Sequence, residues 1–328
     1  LGALVAHGMA PGVAWQMIVS FAVHSIPLAV TLAWAMTSIE DRLVGRWRWA
    51  FIPGGVGFGL GFAWFFHWTA EPFVLLAAAL VAVWQLVIGR AKSFLAPLGL
   101  GLVILVLGYG TVWNINYLAG RLLPVESLRD QELLDFDVDV YRAWLGYEGD
   151  ASGMFPVVRS DFALRFLERA YMVYYDEIFL VLLVLLYRKA DVARFFGIMF
   201  GCFLVGIPIF LLYPTIGPFT YQPETITAGD WRGSNTFTLM RNVVEDWEAL
   251  RAGSALKGYG YFIAMPSMHV AVATVLQVFS WQCKPVFWML LPINVLLMLA
   301  TFLLGWHYIL DAPAGLAVAG ITFTGAAV

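Results

Sequence analysis

Two histidines and one aspartate stand where this chain could do chemistry. The stretch Gly305-Trp306-His307-Tyr308-Ile309-Leu310-Asp311 opens an apolar run. A spacing of four puts His307 and Asp311 on one helical face. A carboxylate there keeps one imidazole nitrogen protonated and leaves the other free to attack, which is the orienting logic of a catalytic triad. An ionisable group inside an apolar span is costly, so Asp311 needs a partner, and His307 is the obvious one. The plainer reading is a buried His–Asp pair that only fixes helix packing.

A second stretch, Met265-Pro266-Ser267-Met268-His269, opens another apolar run. Proline is tolerated in a first helical turn, where its missing N–H costs nothing. The free N–H groups and dipole of that helix end favour an anion, which would lie within reach of Ser267 and His269. An ordinary interfacial cap with a snorkelling histidine explains the same residues. A third stretch, Leu212-Tyr213-Pro214-Thr215-Ile216-Gly217-Pro218-Phe219, ends an apolar run with a rigid turn. By itself it reads as a helix stop. The remaining histidines, His7, His24 and His67, are isolated and read as structural.

The elements that must position these groups are membrane spans. Of 328 residues, 61% are hydrophobic and only 12% charged, and the mean hydropathy is +0.79. Soluble domains are about 45–50% apolar and about 25% charged, so this chain has too little polar surface to coat a soluble particle. Apolar runs near 12–37, 50–67, 72–89, 94–118, 171–187, 195–213, 264–282, 286–304 and 306–327 give about nine spans. Helices are expected, because lipid offers no partner to unpaired backbone groups. The predicted fold is therefore an all-α, polytopic membrane helix bundle. Gly55, Gly57, Gly59 and Gly61 in the second span read as helix packing, since no Walker lysine follows them.

Arg42, Arg46 and Arg48, then Arg90 and Lys92, then Arg188, Lys189 and Arg194, then Lys284 fall in alternate loops. The positive-inside rule makes that side cytoplasmic. His269, His307 and the Tyr213-Pro214 turn then share the outer face, together with two long loops, 119–170 and 214–263. The topology came from basic loops and not from the motifs, so their agreement is a partly independent check. Segment 119–170 carries Glu126, Asp130, Glu132, Asp135, Asp137, Asp139, Glu148 and Asp150. Amphipathic surface helices are expected there, with Pro124, Ser127 and Asp130 resembling a helix start. Asp135, Asp137 and Asp139 invite a calcium reading, but an EF-hand would need glycine and glutamate where Val140 and Gly146 stand. A solvated acidic face is the expectation.

A net charge of −3 gives no sign of a nucleic-acid partner. Cys202 and Cys283 read as small apolar side chains rather than a disulfide, and no Cys/His cluster points to zinc. No signal-peptide pattern precedes the first span. The opening at Leu1 and the ending inside an apolar run read as a chain trimmed at both ends.

Together the three stretches resemble the type-2 phosphatidic acid phosphatase superfamily, whose motifs are Lys-x6-Arg-Pro, Pro-Ser-Gly-His and Ser-Arg-x5-His-x3-Asp. Pro266, Ser267 and His269 match the second motif, with Met268 in place of glycine. His307 and Asp311 match the third, but Ala300-Thr301 stands for Ser-Arg. Tyr213-Pro214 stands for Arg-Pro, and Gly206 for the lysine. The branch lacking those cations, the inositol phosphorylceramide and sphingomyelin synthases, fits better through Pro-Ser-x-His, His-Tyr-x-x-Asp and a Tyr/Phe-Pro turn.

The resemblance covers about 206–316 and leaves 1–93 and 119–170 without a counterpart. It implies a six-helix catalytic core, placed at 94–328 behind N-terminal spans in 1–93. It further implies His307 as nucleophile through a phosphohistidine, Asp311 as its orienter and His269 as general acid and base, with no metal or cofactor. Ser267, Tyr213, Pro214 and Tyr308 would line the substrate. Arg241, Arg251, Lys257 and Arg232 in the 214–263 loop are candidates for the missing cations. Partners would be a phospholipid donor, with inositol phosphate as the candidate headgroup, and a lipid or alcohol acceptor. A lipid-phosphate phosphatase using water is the first alternative. A transporter with a His/Asp proton relay is the second.

Overall fold

The computed structural model describes residues 116, 120, 123–146, 148, 160–188, 190, 192–221, 235–252 and 261–326. The predicted spans at 12–37, 50–67 and 72–89, nearly all of 94–118, the four spaced glycines, and His7, His24 and His67 lie outside these residues.

Every regular element among the described residues is helical. A 3-10 turn at Val125–Ser127 precedes α1, Asp130–Leu145. Then follow α2 (Asp161–Met172), α3 (Tyr174–Tyr187), α4 (Val192–Leu212), α5 (Pro218–Tyr221), α6 (Asn235–Arg251), α7 (Met268–Ser280), α8 (Lys284–Leu303) and α9 (Asp311–Gly325). Segment 119–170 contains two amphipathic helices, α1 and α2, as expected. Its start differs from the expected one: Ser127 Oγ bonds back to Pro124 O and leaves α1 to begin at Asp130.

Helix α7 is central, packing against α3, α4, α8 and α9. Its Ala271, Val272, Val275 and Leu276 meet Phe195, Phe196, Met199 and Cys202 of α4 in a closed apolar core. Small residues set the closeness of the helices. Gly315 of α9 lies against the Ser267 carbonyl and the Val270 side chain, so a Cβ there would collide with backbone. Helices α4, over Arg194–Leu212, and α8 are long and apolar enough to cross a membrane, whereas α7 is apolar but shorter. Trp288, Met289 and Val295 of α8 and Leu316 and Ile321 of α9 point outward. Apolar side chains on both the inner and outer faces suit a helix with lipid on one side. Cys202 and Cys283 are free thiols.

Candidate active site

The three stretches singled out above meet at one place, and backbone hydrogen bonds join them. Helix α8 ends at Leu303, and Gly305, at φ 84°, turns the chain out of the helix. A left-handed conformation of this kind is one that glycine adopts without steric cost. Residues 304–310 therefore form a turn, and α9 starts only at Asp311. This corrects the expectation that His307 and Asp311 share a helical face. They do touch, but His307 reaches Asp311 from the turn before the helix.

His307 Nδ1 lies 2.9 Å from the Ala264 carbonyl and 3.3 Å from Asp311 Oδ2. Both neighbours only accept when Asp311 is ionised, so Nδ1 carries the proton and donates, leaving Nε2 with its lone pair. Asp311 Oδ2 also accepts from the Tyr308 amide at 2.9 Å, while its Oδ1 has no partner among the described residues. The Ser267 amide donates to the Asp311 carbonyl, tying the start of α7 to the start of α9. Ser267 is the α7 cap, its Oγ accepting from the Val270 amide at 3.5 Å. The first stretch joins through Thr215, whose carbonyl accepts from the Ala264 amide and whose Oγ1 accepts from the Met265 amide.

The His269 ring is 5.8 Å from the His307 ring, centre to centre. His307 is 6% exposed and His269 half-buried, so His269 is the more open of the two. His269 Nδ1 pairs with the Tyr171 hydroxyl at 3.2 Å, and Tyr174 packs edge-on at 5.0 Å. Tyr171 stacks in turn on Trp306, 5.5 Å away. Phe219 also meets Trp306 edge-on. The two histidines thus sit among aromatic rings contributed by α2, α3, α5 and the 304–310 turn.

Other sequence candidates fall elsewhere. Tyr213 donates its hydroxyl to Glu132 at 2.8 Å, and Pro214 accepts the Arg129 amide. Tyr308 is fully buried, with its hydroxyl on Asp130 at 2.9 Å. Arg241 is exposed and lies 3.9 Å from Glu245, and Arg251 is exposed beside the Trp247 ring. Both are on α6, and no described contact joins either to the histidines. Arg232 and Lys257 lie outside the described residues.

The acidic face needs a correction. Asp135 and Asp139 are exposed, but Asp130 and Asp137 are buried. Asp130 accepts from the Ile216 and Gly217 amides and from the Tyr308 hydroxyl. Asp137 accepts from the Ile309 amide. Burial pushes the Asp130 carboxyl up to about 7 against the pull of those three donors, with Asp311 adding to the rise. Burial and nearby Asp311 push Asp137 up to about 8, against its bond to Ile309.

A chain whose described elements are all helical, with a His–His–Asp cluster at the junction of three turns, is the class these features define. The family model of the PAP2 superfamily matches residues 141–325. The chain belongs to the PAP2 superfamily, and the match reaches further toward the N-terminus than the motifs do. Comparison with curated proteins finds no match, and neither does comparison with solved structures. Membership supports an enzyme with phosphatase or phosphotransferase chemistry on lipid phosphates. Together with α4 and α8, it is consistent with a membrane protein.

Proposed function

We propose that this protein is a multi-pass membrane phosphotransferase with a catalytic core at 94–328 and its site on the outer face. It moves a phospho-alcohol headgroup, with inositol phosphate the candidate, from a phospholipid donor to a lipid or alcohol acceptor. The observation that carries this reading is His307: two acceptors hold Nδ1 and leave Nε2 free, with His269 beside it.

In the first step Nε2 attacks phosphorus and the donor's P–O bond breaks. His269, as the imidazolium, gives its Nε2 proton to the departing alcohol oxygen, while its Nδ1–H donates to the Tyr171 hydroxyl oxygen and holds the ring in place. In the second step the acceptor hydroxyl gives its proton to His269, its oxygen attacks phosphorus, and the P–N bond breaks, returning His307. Asp311 stabilises the positive charge on the phosphorylated imidazole. The Trp306 indole N–H is a buried donor without a partner among the described residues, next in sequence to His307, and is a candidate for a phosphoryl oxygen. Ser267 and the free amides of the α7 start are others.

Transfer is favoured over hydrolysis by Tyr213-Pro214 and Ala300-Thr301, which match the synthase branch in lacking the phosphatase cations. The test supplies purified protein in detergent micelles with a labelled phosphatidylinositol donor, with and without an acceptor alcohol. Acceptor-dependent product and an acid-labile label trapped on His307 are expected, both lost in His307→Ala. Fast hydrolysis indifferent to any acceptor would return the phosphatase reading. Full turnover by His307→Ala would remove the nucleophile.

A further inference from the structure

Helix α1 lies largely outside the residues that the family model matches, yet it is bound to the site by two buried carboxylates. Asp130 and Asp137 are two helical turns apart, on the stripe that also buries Leu133, Leu134, Val138 and Tyr141. Those four pack on Tyr308, so apolar contact alone would dock the helix. Buried carboxylates are not needed for that docking and are costly to desolvate. Their partners are specific. Asp130 collects the Ile216 and Gly217 amides of the first stretch and the Tyr308 hydroxyl of the third. Asp137 takes the Ile309 amide, while Asp311 takes the Tyr308 amide one residue earlier.

We propose that Asp130 and Asp137 are positioning residues for the reaction, fixing the peptide units after His307 so that Nε2 faces the substrate. The proposal rests on His307 being the nucleophile. The two consecutive amides after the imidazole are each held by a different carboxylate, one from α1 and one from α9. With Asp137 removed, residue 309 loses its partner, and the turn carrying His307 gains freedom at the atom that must align with phosphorus. The exposed carboxylates on the same helix bond only locally, Asp135 with Gln131 and Asp139 with Arg142. They serve as internal controls.

The experiment uses the full chain in micelles with labelled phosphatidylinositol and an acceptor alcohol. Asp137→Ala is expected to lower kcat about 10- to 100-fold with KM within roughly twofold, as a misplaced reacting group does. Asp137→Asn keeps an oxygen for the Ile309 amide and is expected to restore kcat to within about threefold of wild type. Asp139→Ala is expected to match wild type. Should Asp137→Ala fail to fold, Tyr308→Phe keeps the apolar packing while cutting the link to Asp130, and about a tenfold loss in kcat at constant KM is expected. Wild-type kcat in folded Asp137→Ala or in Tyr308→Phe overturns the proposal, as does equal loss in the Ala and Asn variants of Asp137. His307→Ala, measured in parallel, separates the two readings. If it is dead while the α1 variants are normal, only the positioning role falls. If it is active, the nucleophile falls and this proposal with it.

Discussion

Replacing Asp311 by asparagine separates two duties that a carboxylate beside a histidine usually combines. One is to select the imidazole tautomer, and the other is to stabilise the cation that forms when the ring attacks. The Ala264 carbonyl is the nearer acceptor for His307 Nδ1, at 2.9 Å against 3.3 Å for Asp311. Asparagine retains an oxygen for the Tyr308 amide, so the turn and the tautomer should survive. The charge is lost. At an effective dielectric near 20, opposite charges about 4 Å apart attract by about 4 kcal/mol. A transition state with half to nearly all of the final charge on the ring realises about half to all of that. The loss is then about 2–4 kcal/mol, or about 30- to 1000-fold in kcat. KM should barely move, because the ground-state imidazole is neutral. Steady-state transfer from labelled phosphatidylinositol, with elution profile and melting temperature as fold controls, measures it. A kcat within about threefold of wild type would refute the charge argument and leave Asp311 a packing residue.

Two further outcomes follow from neighbouring contacts. Tyr171→Phe keeps the stack on Trp306 but removes the hydroxyl from His269, so kcat should fall about tenfold, the equivalent of one hydrogen bond; an unchanged kcat would exclude Tyr171 from holding the His269 ring in place. Asp130 and Asp137 titrate in the fold near 7 and 8, above their ordinary 3.8. Raised folded-state values mean that their contribution to stability is full below the unfolded value and lost as pH climbs through 7 and 8. The ionisable groups facing them are Tyr308 and Asp311 for both, with Tyr213 and Tyr221 also beside Asp130 and Tyr141 beside Asp137. The melting temperature should therefore fall from about pH 4 up to about pH 8 and level off above, less steeply in Asp137→Asn. A flat wild-type profile would contradict the burial argument.

Much of the frame was legible because its signals are local. The apolar runs near 195–213 and 286–304 appear as α4 and α8, and Pro266-Ser267 marks the α7 start. The convergence of three stretches followed from basic loops and apolar lengths alone. The position of His307 was not legible. Residues 306–310 continue straight into an apolar run and read as its start, but a turn buried in protein suits the same aromatic and aliphatic residues, and the backbone at Gly305 distinguishes them. Helix α1 hid its role for a different reason. Charge in a sequence signals solvent unless a partner is visible, and the partners of Asp130 and Asp137 are backbone amides far along the chain. Any residue type supplies such an amide, so no motif marks it. Tyr171 was likewise silent, an aromatic near a predicted span end whose partner lies 98 residues on.

The lacing of Ser267 and His307 to Asp311 also bears on how the protein is made. On the proposed multi-pass reading, helices entering a membrane in chain order leave α7 in place before α9 exists. Until α9 packs beside α7, His307 lacks the Ala264 carbonyl, and the Ser267 amide lacks the acceptor that joins the two helix starts. Contacts between distant segments form late in folding. On the proposed roles, a nascent chain then carries His269 into place before His307 has its full set of partners. Under the proposed mechanism, competence would then come with closure of the bundle.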